Sequence, residues 1–268
     1  MTSTTTRGGI AAAAALGAAL LALLCGLPSS SPAEVFERQG VRVSVQGKMT
    51  PTKLPRRGKV PIGVSFGGRI SSSRAGGAPK LTKLTIAINR QGRLDTRGLP
   101  RCRIGHIDPS TTREALAACR RAMVGEGRFS ANVKIPEQSP FPSTGKVLAF
   151  NGRLRGKPAI LAHIYGTKPV PTSYVLPFEI RRSRGIYGTE LAASLPRVTG
   201  EWGYVTGISM SLQRRFSFRG KRRGYFNAGC PAPRGISRVG FPLARTSFEF
   251  EGGLTLAPTL NRSCRVRG

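Results

Sequence analysis

Val41, Val43 and Val45 alternate with Arg42, Ser44 and Gln46, and this two-residue period returns along almost the whole chain beyond residue 40. It is read again at Leu84, Ile86 and Ile88, at Ile208, Met210 and Leu212, and at Phe248 and Phe250, while Leu254 and Leu256 flank Thr255. Successive strand residues point to opposite faces, so the period specifies strands with one apolar face. Further strands are expected over 59–66, 129–135, 146–154, 158–165, 173–181, 186–193, 223–228 and 260–266. Clusters of Gly, Pro and Ser at Ser71–Pro79, Pro136–Gly145 and Gly166–Pro171 punctuate them. Many short strands with turn punctuation predict an all-β fold, an antiparallel β-sandwich of Ig-like or jelly-roll-like type. The chain has 268 residues, enough for one composite domain, and any internal boundary is expected near 100–145.

One segment departs from the period. Asp108-Pro109 precedes Thr111 and Glu114, which have the spacing of a capping box. Leu116, Cys119 and Met123 then recur at helical spacing, and Gly125 supplies a stop signal. One short α-helix is expected near 110–124, with Asp108 at its start.

Residues 1–33 read as a secretory signal peptide. Arg7 precedes the Ala/Leu-rich run Ile10–Leu24, and Ser31 and Ala33 are the small residues wanted for cleavage before Glu34. The run is short for a bilayer span, which takes about 20 apolar residues. Any membrane contact is therefore expected through the signal segment alone. Cys25 follows the large Leu24, which departs from the lipoprotein pattern. Leu195–Gly200 has one residue too many for a wall-sorting signal. A secreted, extracellular domain over 34–268 is the expectation.

Export would leave four cysteines: Cys102, Cys119, Cys230 and Cys264. An even number in an oxidising compartment predicts disulfides, and none of the spacings is a metal or redox motif. Short loops raise the encounter probability, which favours Cys102–Cys119 and Cys230–Cys264.

The stretches Gly98-Leu99-Pro100-Arg101-Cys102, Cys119–Gly127, Phe150-Asn151-Gly152 and Cys230-Pro231-Ala232-Pro233 carry a likeness. Over about Val41 to Val266 the chain resembles secreted, Arg-rich all-β proteins of unknown function from GC-rich actinobacteria. The resemblance implies the leader, the four cysteines and the Pro/Gly-rich β pattern, and it lends no catalytic residues.

Several catalytic constellations exist on paper. Gly63-Val64-Ser65-Phe66-Gly67 matches a nucleophile elbow, and Asp95 or Asp108 with His163 would complete a Ser–acid–His order. That motif needs a helix after the serine, whereas Gly68 and a Ser/Gly-rich stretch follow, so a glycine-rich strand is expected instead. His106 and Asp108 fall short of the three or four ligands that zinc requires. His163 lies in an apolar run and is expected to be partly buried, bonded to a neighbouring strand. Glu249 and Glu251 share a face by alternation, about 7 Å apart, a spacing that carbohydrate hydrolases use. A secreted hydrolase working through them is the alternative functional reading, although an exposed Glu opposite a cross-strand cation is the routine arrangement. Gly145-Lys146 is followed by Val147, where a phosphate loop wants Ser or Thr. No cofactor motif emerges.

Charge says more. The chain carries 43 Lys and Arg against 12 Asp and Glu, a formal net charge of +31. Such a field attracts polyanions. Arg214, Arg215, Arg219, Lys221, Arg222 and Arg223 crowd one stretch with Phe216, Phe218, Tyr225 and Phe226, which reads as a hairpin turning near Gly220. Arg181, Arg182 and Arg184 form a second basic turn. Guanidinium groups pair with phosphates and carboxylates, and aromatic rings add stacking. The sequence thus predicts a non-catalytic envelope or extracellular protein whose hairpin binds an anionic cell-envelope polymer or polysaccharide. No nucleic-acid-binding signature is present, so dedicated nucleic-acid recognition is not expected.

Overall fold

The computed structural model describes residues 33–195 and 203–267. The expected signal peptide falls outside the described residues except for Ala33, as does most of the sorting-signal-like stretch.

The described chain is all-β, with one short α-helix. Its strands are β1 (Glu34–Arg38), β2 (Val41–Thr50), β3 (Lys53–Leu54), β4 (Val60–Ser72), β5 (Leu81–Asn89) and β6 (Gly92–Leu94). Helix α1 (Thr112–Cys119) precedes β7 (Met123–Val133), β8 (Phe141–Leu154), β9 (Lys157–Gly166), β10 (Thr172–Arg182) and β11 (Tyr187–Ser194). There follow β12 (Gly203–Leu212), β13 (Arg215–Phe218), β14 (Lys221–Gly224), β15 (Phe226–Ala228), β16 (Arg238–Phe250), β17 (Thr255–Leu256) and β18 (Thr259–Val266). None of the described helices is long and apolar enough to cross a membrane.

Hydrogen bonds join most of these strands into one continuous sheet, in the order β1-β2-β4-β12-β7-β8-β9-β10-β11-β5-β16-β18-β3. Pairing is antiparallel except between β18 and β3, a short parallel ladder that departs from the wholly antiparallel expectation. The alternation has its expected consequence in β2, where Val41, Val43, Val45 and Met49 are buried and Arg42, Gln46 and Lys48 are exposed.

The sheet curls until its beginning faces its end. A Cβ built on Gly47 of β2 would lie 2.7 Å from Leu260 of β18, so the two strands pass too closely there for a side chain. Likewise Gly68 of β4 lies against the Phe248 ring of β16. Among the described residues no backbone ladder joins β2 to β18. Side chains bridge the seam instead: Arg262 Nη1 donates to Glu34 Oε1 at 2.6 Å, and Arg262 Nε donates to the Gly47 carbonyl at 2.6 Å.

Inside the curl lies the main apolar core, including Val45, Leu84, Ile160, Phe178, Phe248 and Leu260. A second core forms outside it, where α1 and Ile107 cover Leu148, Phe150, Ala159 and Leu161. Strands β8 and β9 are therefore buried on both faces there, which explains why Val147–Phe150 and Ala159–Ala162 read as unbroken apolar runs.

Helix α1 is shorter than the expected 110–124. Its capping box forms as the sequence indicates: Glu114 N donates to Thr111 Oγ1, and Thr111 N donates to Glu114 Oε2. Thr111 is the N-cap, so the exposed Asp108 has no such role. The helix stops at Cys119 because Met123 is already committed to the ladder with Phe150 of β8. Three residues of 3-10 turn, Arg120–Ala122, make the connection.

Both cysteine pairings match the sequence reading. Cys102 and Cys119 have Cα atoms 5.5 Å apart, and Cys230 and Cys264 are 5.8 Å apart. The first staples α1 to the segment before it, and the second ties β18 to the loop after β15. Replacing Cys102 and Cys119 together by Ser should cost about 3 kcal/mol in the chain-entropy model. A thermal melt followed by far-ultraviolet circular dichroism should show a lower midpoint with the β signal retained.

Candidate functional site

Strands β13 and β14 form the hairpin anticipated from the cluster of cations. Its register pairs Arg215 with Gly224, Phe216 with Arg223, Ser217 with Arg222 and Phe218 with Lys221. Arg219 and Gly220 make the turn with φ of 50° and 70°. Two consecutive positive values define the tight hairpin turn, and the glycine meets that requirement without strain.

Register divides the side chains between two faces. Phe216, Phe218, Lys221 and Arg223 share one; Arg215, Ser217 and Arg222 share the other. The first face docks on the protein, since Phe216 and Phe218 are half-buried. The second face is exposed, and Arg214, Arg219 and Lys221 project from the ends of the hairpin.

Three contacts fix the hairpin in place. Phe218 packs on Gly98, where a Cβ would fall 2.2 Å from the ring, so only glycine admits this approach. Arg223 Nη1 donates to Asp95 Oδ2 at 2.8 Å. Tyr225, fully buried, donates its N–H to the Arg214 carbonyl and accepts from the Asp95 N–H, both at 2.8 Å. Burial of the Tyr225 ring also pushes its hydroxyl well above the ordinary range for tyrosine. The guanidinium groups of Arg219 and Arg223 lie 5.4 and 5.5 Å from the Phe218 ring centroid, within the range of cation–π attraction.

Asp95, offered by the sequence only as the acid of a Ser–acid–His order, is instead an anchor of the hairpin. Its burial disfavours the charged form, but hydrogen bonds from Arg97 and Arg223 outweigh this and hold the carboxyl below the ordinary carboxylate range. Arg97 N donates to Asp95 Oδ1, a local turn visible in Asp95-Thr96-Arg97-Gly98. The partnership with Arg223 spans 128 residues and leaves no local trace.

This corrects the expected cluster of six cations. Arg223 is neutralised by Asp95 and belongs to the anchor. Arg214, Arg215, Arg219, Lys221 and Arg222 remain exposed, and among the described residues none has an acidic partner. The other basic turn is weaker as a site. Arg181 and then Lys157 hydrogen-bond Glu179 and hold its carboxyl at about 2, so Arg181 is already paired.

The catalytic constellations do not assemble. Ser65 lies in the middle of β4, with no turn or helix after it. His163 projects from the outer face of β9, opposite to Ile160, Ala162 and Ile164, which face the inner core. It is fully buried rather than partly so, and its partner is a loop rather than a neighbouring strand. His163 Nε2 donates to the Ser110 carbonyl at 2.9 Å, while Ser110 Oγ donates to the Ile107 carbonyl at 2.9 Å. The Ser110 Oγ also lies 3.3 Å from His163 Nε2, so the imidazole pins the approach to α1 through one residue. Glu249 accepts from Lys83 Nζ at 2.8 Å, directly across the β5–β16 ladder. Strand β16 ends at Phe250 and Glu251 opens a 3-10 turn, so the shared carboxylate face does not exist. Gly145-Lys146 lies inside β8. Among the described residues, no group of three or more His, Cys, Asp or Glu could hold a metal ion.

No family model matches the chain, and no curated protein matches it. Among solved structures the chain is similar to AvmM, which catalyses macrocyclization in alchivemycin A biosynthesis. The identity is 10% over 89% of this chain and 97% of that one, with a TM-score of 0.23. A likeness that slight carries no argument about fold or function.

Replacing Asp95 by Asn should loosen the hairpin. The pair is largely shielded, and leaving Arg223 without its carboxylate costs about 1–3 kcal/mol. Because the folded-state value of Asp95 is depressed, its contribution is present above the unfolded value, about 4, and is lost as pH falls through the folded one. Amide hydrogen exchange should show the protection of Tyr225 declining in acid in the wild type, and already reduced at neutral pH in Asp95→Asn.

Proposed function

We propose that this protein is an exported, non-catalytic binder that holds an anionic polymer or polysaccharide of the cell envelope on its β13–β14 hairpin. The observation that carries the reading is the set of five exposed cations, without an acidic partner among the described residues, on a hairpin anchored by Phe218, Arg223 and Tyr225. Pre-fixing the cations lowers the ordering cost of binding. A polymer with regularly spaced phosphates or carboxylates meets several of them at once.

Two disulfides support an oxidising location, and the leader-like segment supports export. The resemblance to secreted, Arg-rich actinobacterial proteins agrees with both. In this reading the facing halves of the curled sheet serve as the two layers of an Ig-like or jelly-roll-like sandwich, with the hairpin mounted on its outside.

Retention on immobilised heparin should fall steeply as salt rises, because the contacts are screened within a Debye length of about 8–10 Å at moderate ionic strength. Replacing Arg215, Arg219, Lys221 and Arg222 together by Gln should lower the eluting salt concentration more than replacing Arg113, Arg120, Arg153 and Arg234. Equal losses from the two variants would mean a diffuse field without a site and would overturn the proposal.

A further inference from the structure

The turns at one end of the curled sheet repeat a single local design. Six of them place an arginine before a glycine of positive φ: Arg57-Gly58, Arg97-Gly98, Arg155-Gly156, Arg184-Gly185, Arg219-Gly220 and Arg234-Gly235, with glycine φ from 70° to 81°. Glycine adopts that conformation without strain, and all six arginines are exposed. The antiparallel register brings these turns to the end where β5, β8, β10 and β12 finish and β4, β9, β11 and β16 start. Among the described residues, the turns at the other end (39–40, 73–80, 134–140, 167–171 and 251–253) hold no such pair and include Glu137 and Glu251.

Two of the tips add an isoleucine. Arg184-Gly185-Ile186 and Arg234-Gly235-Ile236 share their sequence as well as their conformation, and Ile186 and Ile236 are 52% and 48% exposed. A lone exposed isoleucine needs no explanation. Here two hold the same place in equivalent turns, and the loops between them are tied together. Arg90 N donates to the Ile186 carbonyl at 2.9 Å, and Lys59 Nζ donates to the Arg90 carbonyl at 2.6 Å. Cys230 N donates to the Pro55 carbonyl at 2.9 Å, and Arg56 Nη2 donates to the Ile236 carbonyl at 3.1 Å. The segments so joined, 55–59, 89–93, 181–188 and 229–238, carry ten Lys and Arg and no Asp or Glu. Partial burial, and then the charge of Arg93, hold the Lys59 ammonium below the ordinary lysine range, so an anion arriving here relieves a repulsion already present.

We infer that this end of the molecule docks on the surface of an anionic phospholipid bilayer, with Ile186 and Ile236 entering the interface and the arginines around them meeting lipid phosphates. A soluble polyanion would engage the cations and leave both isoleucines in water. A bilayer engages both, because hydrocarbon lies just beneath its charged headgroups. Arginine suits that boundary, since its guanidinium pairs with phosphate while its stem lies along apolar surface. The contact is one that the expected signal segment does not supply. It does not rest on the polymer reading of the β13–β14 hairpin, which lends Arg219-Gly220 to the same end but neither isoleucine.

Vesicles of equal parts phosphatidylglycerol and phosphatidylcholine are the probe, offered to the chain without residues 1–33 and with both disulfides intact, so that the leader contributes nothing. The protein should cosediment with them and not with vesicles of phosphatidylcholine alone. Ile186→Ser combined with Ile236→Ser should lower the partition coefficient about tenfold, because two half-exposed side chains no longer leave water. The same variant should elute from heparin at an unchanged salt concentration. Val170→Ser, exposed at the other end, should alter neither measurement. On the mixed vesicles, brominated lipid should quench Ile186→Trp beyond the quenching of the wild type, whose tryptophan is Trp202. If the double serine variant does not fold, that quenching decides the matter. Absence of binding to the mixed vesicles, equal partition of the wild type and the double serine variant, or no added quenching of Ile186→Trp would each overturn the inference. The hairpin variant on heparin tests the polymer reading alone, so the two can fail separately.

Discussion

A single long sheet can bury an apolar face only against something, and here it buries that face against itself. Every other feature follows from the curl. It brings β2 and β4 opposite β16 and β18, it encloses the main core, and it leaves the outer surface free for additions. The curl is maintained by glycine at the closest approaches and by the Glu34–Arg262 pair across the seam. That pair is partly shielded, with side-chain exposures of 26% and 10%, so it is less screened than a surface ion pair.

Two additions are built on the outside, and they differ in kind. Helix α1 is attached by apolar burial and by the Cys102–Cys119 bridge, with His163 reaching out from β9 to hold its approach. The β13–β14 hairpin is attached by an aromatic ring on a glycine, a charge pair and two backbone bonds around Tyr225. The first is a cover that makes β8 and β9 buried on both sides. The second is a platform that keeps its cations pointed at solvent.

Strand alternation makes the all-β class legible, and the capping-box pair Thr111 and Glu114 makes α1 legible, because both signals are local. The length of α1 is not legible, for a non-local reason: Met123 keeps helical spacing with Cys119 but is claimed by the ladder with Phe150. The cysteine pairs are legible through short separation. The basic hairpin is legible as a hairpin, since Gly220 lies between two alternating runs. Its division into anchor and platform is not, because Asp95 stands far away in sequence and carries no mark of its partnership. Glu249 and Glu251 mislead for a related reason. Alternation holds only while the strand lasts, and β16 ends between them.

The seam also bears on how the molecule comes together. Glu34 and Arg262 are 228 residues apart, and β18 is further fixed by the bridge from Cys264 to Cys230. Nearly the entire chain must be present before the first strand can meet the last, and pairings of such long separation slow folding because loop closure precedes any gain. A chain emerging amino-terminus first would hold the inward face of β2 without its facing strand until β18 arrives. In that interval Val45 and Met49, buried in the finished fold, would face water, and an uncovered apolar strand is open to wrong pairings.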